Sequence, residues 1–99
     1  MMNSSIAIQI LPGVSETSEV VRIVDEVIDY IRRTGLTYYV GPFETTVEGD
    51  FEELMEIAKQ AQLIAIQAGA PSVSMYLKSV YRPSGDLLTI DEKVTKHHR

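Results

Sequence analysis

Ile6, Ile8 and Ile10 alternate with Ala7, Gln9 and Leu11. A period of two in β-branched residues predicts a half-buried strand, closed by Pro12-Gly13. A loop rich in Ser, Thr and Glu follows, and Thr17 or Ser18 at its end can cap a helix. Beyond it Val20, Val24, Val27, Ile28 and Ile31 recur at three- and four-residue spacing, with Val21 and Ile23 widening the stripe. That spacing predicts a helix of about four turns. Arg32 and Arg33 suit its negative end, and Gly35 supplies a left-handed stop.

Leu36–Val40 and Phe43–Glu48 are two short β-prone runs joined across Gly41-Pro42, the pattern of a hairpin. Asp50 then opens a second helix, with Glu53 three residues on as in a capping box. Phe51, Leu54, Met55, Ala58, Ala61 and Ala65 form its expected buried stripe, and Gly69 with Pro71 ends it. Ser72–Arg82 alternates again. At eleven residues it is about twice the usual strand length, enough to overhang a small sheet. Pro83-Ser84-Gly85 reads as a turn and Thr89–Lys96 as a short terminal helix.

The predicted order is β-α-β-β-α-β across one domain, residues 1–99. Two right-handed crossovers of this kind give a ferredoxin-like α+β sandwich: a four-stranded antiparallel sheet with two helices on one face. If Ile6, Ile8 and Ile10 face the helices, then Ala7, Gln9 and Leu11 face the uncovered side. Alternation puts Tyr76, Lys78 and Val80 there too, with Glu44, Thr46 and Glu48 from the hairpin. That mixed face is too apolar for bare solvent, and reads either as a subunit interface or as the floor of a small-molecule site.

The chain has no cysteine, which excludes a disulfide scaffold, a zinc ribbon and a thiol nucleophile. Its net charge of −5 argues against a nucleic-acid partner. Residues 1–56 carry 11 acidic and 3 basic side chains, whereas residues 57–99 carry 3 and 6. Such asymmetry suits a cationic ligand near the first half or complementary subunit surfaces. No apolar run reaches the roughly 20 residues of a membrane span, and no secretory leader opens the chain, so a cytoplasmic protein is expected. Glu52, Glu53 and Glu56 read as a solvated helix face. His97-His98 has no third ligand near it in sequence and reads as tail. No phosphate cradle and no catalytic triad are visible.

Three stretches carry a family resemblance: Ala7-Ile8-Gln9-Ile10-Leu11-Pro12, then Tyr38–Asp50 with its Glu-Thr-Thr-Val-Glu-Gly-Asp core, then Lys78-Ser79-Val80-Tyr81-Arg82-Pro83-Ser84-Gly85 before Asp91-Glu92-Lys93. From about Ile6 to Arg99 the chain resembles the small thiamine-binding proteins, single-domain YkoF-like relatives. The resemblance implies a ferredoxin-like fold, a homodimer or homotetramer, and non-catalytic binding of thiamine or its hydroxymethylpyrimidine moiety as carrier or sensor, with no other cofactor and no metal. It also points to Gln9, Tyr39, Thr45, Thr46 and Glu48 as ligand residues. Glu48 suits the pyrimidine ring nitrogen, Gln9 and Thr45 the amino group or hydroxyethyl arm, and Tyr39 ring stacking. Two other function classes share the fold: enzymes of the dimeric α+β-barrel kind and amino-acid-binding regulatory modules.

Overall fold

A computed structural model describes residues 2–84 and 87–94. The elements run β1 (Ser4–Pro12), α1 (Thr17–Arg33), β2 (Thr37–Val40), β3 (Thr45–Gly49), α2 (Phe51–Gln67), β4 (Val73–Tyr81) and a short α3 (Ile90–Val94). The strands form one antiparallel sheet in the order β2-β3-β1-β4. This is the expected ferredoxin-like arrangement. His97 and His98 lie outside the described residues, as do Gly85 of the expected turn and the last residues of the expected terminal helix.

The register confirms the assignment of faces. Ile6 pairs with Val47 and Ser79, and Ile8 with Thr45 and Leu77, all on the helix side. Ala7 pairs with Thr46 and Lys78, and Gln9 with Tyr76, all on the other. Ile6, Ile8, Ile10 and Val47 meet Ile23, Val27 and Ile31 of α1 and Leu54, Ile57, Ala61 and Ala65 of α2 in a single core. The small side chains of Ala61 and Ala65 let α2 approach its neighbours closely.

Local chemistry sets the ends of each helix. Asp50 caps α2 as expected, its carboxylate accepting from the Glu52 N–H at 3.2 Å, and Asn3 Oδ1 accepts from the Phe51 N–H at 2.9 Å. The expected cap of α1 is corrected. Glu16, not Thr17 or Ser18, occupies its N-cap, and no side chain bonds there. Gly35 (φ 78°) and Gly69 (φ 114°) take the left-handed conformation that ends α1 and α2. Arg22 of α1 reaches across to donate to the Ala68 carbonyl at 2.7 Å, tying the two helices at the negative end of α2.

The long strand is also corrected. β4 has nine residues, and β1 pairs with all of them from Ser4↔Tyr81 to Pro12↔Val73. It therefore has no overhang. β1 does have one on its other side, because its pairing with β3 stops at Ile8↔Thr45. Gln9–Pro12 thus continues past the end of β3 with a strand on one flank only.

Candidate functional site

The end of β3 leaves a gap between the β2–β3 hairpin, the one-sided part of β1, and α1. A cavity of about 280 Å³ fills it. Its inner wall is Val20, Val24, Val27, Ile28 and Ile31, with Ile8 and Ile10 below. Val20, Val24 and Ile28 are only half-buried. They are a second row of the helix stripe, turned toward the gap instead of the core, and no strand lies above them. Around the mouth stand Gln9, Val40, the Gly41-Pro42-Phe43 turn, Glu44 and Thr45. The turn is drawn tight by the Gly41 N–H donating to the Glu44 carbonyl at 2.9 Å. A Cβ added at Gly41 would lie 3.0 Å from that oxygen. Phe43 at its tip is 78 % exposed.

The sheet register divides the five residues singled out in the sequence. Thr45 points to the helix side opposite Ile8, is 8 % exposed and lines the cavity. Gln9 stands on the open face but borders the same cavity. Tyr39, Thr46 and Glu48 lie on the open face along β2 and β3, away from it. The five therefore do not form one cluster.

Glu48 is covered by its own chain. α3 lies across β2 and β3 on the open face, and the Ile90 N–H donates to Glu48 Oε2 at 2.8 Å. The carboxylate stands opposite Ser5 and Thr37, and the residue is 9 % exposed. A capping box holds α3 in shape: the Glu92 N–H donates to Thr89 Oγ1 at 3.0 Å, and the Thr89 N–H to Glu92 Oε1 at 3.1 Å. The Thr-x-x-Glu spacing at 89–92 carries this helix start in the sequence, a signal that the reading of Thr89–Lys96 as a helix does not use. The acid nearest the cavity is instead Glu44, whose Oε1 lies 3.1 Å from Lys78 Nζ.

A wider cleft of about 640 Å³ runs between α1 and α2 past Asp25, Glu26, Asp29, Arg33 and Gln67. Of the charged side chains lining it, Asp29 and Arg33 pair with each other. Asp29 accepts from Arg32 and lies 3.7 Å from Arg33 Nε. The hydrogen bond from Arg32, with the nearby positive charges, holds the Asp29 carboxyl below its ordinary range. Tyr30 shifts upward through burial and the Glu56 charge. Among the described residues no three His, Asp or Glu side chains converge as a metal site would need, and no helix is long and apolar enough to cross a membrane.

Comparisons with known proteins agree with this architecture. The thiamine-binding protein family matches residues 6–98. A UPF0045 protein of Clostridium perfringens is 44% identical over 97 residues, covering 98% of this chain and 99% of that one. The solved structure of a domain of unknown function from Bacillus cereus superposes with a TM-score of 0.84 at 37% identity, covering 98% of this chain and 92% of the other. A protein from Thermotoga maritima, assigned provisionally to thiamine biosynthesis or salvage, gives 0.81 at 35% identity over 96% and 98% of the two chains.

Proposed function

The chain belongs to the thiamine-binding protein family, and we propose that it binds thiamine, without turning it over, in the cavity beneath the β2–β3 hairpin. The observation that carries this reading is the composition of that cavity. About 280 Å³ is near the lower bound of small-ligand sites, and its walls are branched aliphatics that a flat heteroaromatic ring can pack against. The polar side chains among its lining residues are Gln9, Glu44 and Thr45. Gln9 and Thr45 offer amide and hydroxyl partners for an aminopyrimidine, and the Glu44 carboxylate attracts a thiazolium cation. Phe43 can close over a ring from the hairpin. Tyr39, Thr46 and Glu48 serve the open face instead. The protein acts as a cytoplasmic vitamin carrier or sensor in this reading.

The same reading includes self-association. β4 is a nine-residue edge strand, exposed along most of its length and without proline. Its own Tyr76 and Val80, with Leu11 of the neighbouring β1, leave apolar surface exposed there. Unpaired edges of this length are ordinarily covered, and a second copy of β4 is the simplest cover.

Titration calorimetry with thiamine, on the parent and on Val24→Trp, tests the binding proposal. The introduced indole would fill the cavity from the helix side while leaving the sheet intact. Binding to the parent and none to a folded Val24→Trp supports the site. Equal binding by both places the ligand elsewhere, and no binding to the parent removes the function.

A further inference from the structure

Glu44 borders the cavity, yet its carboxylate is already engaged. Lys78 projects from β4 on the open face, opposite Ala7 of β1. Because Ala7 offers only a methyl group, the lysine can cross over β1 and bring Nζ to 3.1 Å from Glu44 Oε1. The lysine side chain is 74% exposed and the glutamate 35%, so water reaches both. An ion pair this wet is worth little on its own and opens easily. Resting on the thiamine-binding reading above, we propose that Lys78 is a displaceable counter-ion for the site: it neutralises Glu44 when the cavity is empty, and a cationic ligand takes its place.

The consequence is a selectivity rule. A cation entering at the mouth exchanges one ion pair for another and must repel the ammonium group as it does so. Its net electrostatic gain is small, and salt weakens the lost pair as well as the new one. An uncharged ring that fills the same cavity leaves the Lys78–Glu44 pair in place and gains nothing from its removal. Lys78 thus holds the affinity for cations down and makes it nearly independent of ionic strength.

The test uses calorimetry with thiamine and with uncharged hydroxymethylpyrimidine on the parent, Lys78→Gln, Glu44→Gln and the double variant. Lys78→Gln should bind thiamine about 3–10-fold more tightly than the parent and bind the uncharged pyrimidine equally. Its affinity for thiamine should fall between about 0.05 and 0.5 M salt, while the parent's stays nearly flat. In the Glu44→Gln background, removing Lys78 should change thiamine affinity by a smaller factor, since no acid remains to be released. Thiamine binding by the parent with unchanged or weaker binding by Lys78→Gln overturns this inference alone. Tighter binding of both ligands by Lys78→Gln also overturns it, because the effect then has nothing to do with charge. If no variant binds thiamine, the functional reading falls and the inference with it.

Discussion

The carboxylate of Glu48 accepts the backbone N–H of Ile90 at 2.8 Å, joining the middle of the sheet to a helix 42 residues further on. Ile90 is itself buried, so a charged acceptor and an apolar anchor hold α3 down together. Removing the carboxylate with Glu48→Ala leaves a buried donor unpaired, at a cost of about 1–3 kcal/mol, whereas the carboxamide of Glu48→Gln can still accept. The expected loss is local. Amide hydrogen exchange at Ile90 should accelerate strongly in Glu48→Ala, modestly in Glu48→Gln, and not at all in the core positions Ile8 and Val47. Unchanged exchange at Ile90 would show that the bond contributes nothing to docking.

The two long helices differ in how they begin, and stability should reflect it. Asp50→Ala removes a side-chain acceptor from the first turn of α2 and should cost about 0.5–2 kcal/mol in urea unfolding. Thr17→Ala and Ser18→Ala should each stay within about 0.5 kcal/mol, because no side chain caps α1. Glu16→Ser places a favoured capping residue at the position that lacks one and should stabilise the fold. A loss from Thr17→Ala as large as that from Asp50→Ala would contradict this assignment of the caps.

Alternation and turn residues made most of this fold legible. Ile6, Ile8 and Ile10 set the inner face of β1, and antiparallel pairing then fixed the face of every residue opposite them. Val20, Val24 and Ile28 show where that reasoning stops. Periodicity tells which way a helix residue points, but not what covers it, and these three wall a cavity because β3 begins only at Thr45. Glu48 shows a second limit. Strand alternation placed it correctly on the open face, yet its burial depends on α3, whose capping box and apolar Ile90 gave the only local signal. The family resemblance joins Thr45 to Glu48 as ligand residues, although odd spacing along a strand puts the two on opposite faces.

Phe43 should matter to ligand and not to fold. It stands exposed at the tip of the hairpin and borders the cavity, so its removal uncovers no core. Phe43→Ala should leave unfolding stability within about 0.5 kcal/mol of the parent. If thiamine occupies the cavity, losing one aromatic contact should weaken binding by about 0.5–1.5 kcal/mol, or roughly 2–13-fold. The change should appear mainly as faster dissociation. Stopped-flow and calorimetry would check both halves. Unaltered dissociation would mean that the hairpin tip does not touch the bound ring.

The edge of β4 makes a prediction with a built-in register. Opposed residues in an antiparallel pair share a face, so a two-fold axis through Leu77 matches all nine residues of β4 against the same strand of a second copy. On the open face this sets Tyr76 beside the aliphatic stem of the partner copy's Lys78, whose ammonium reaches back over β1 to Glu44, a contact occurring twice. Shifting the axis to Lys78 would oppose two lysines. Shifting it to Tyr76 would shorten the ladder. Self-association through this edge should therefore survive Tyr76→Glu, which faces a lysine, and fail in Tyr76→Lys, which faces one with like charge on both sides of the axis. Sedimentation at micromolar concentration should show a species larger than the 11.1 kDa chain for the parent and Tyr76→Glu, and the single chain for Tyr76→Lys. A parent that sediments as the single chain removes the self-association proposal, and equal assembly by all three proteins moves the contact away from β4.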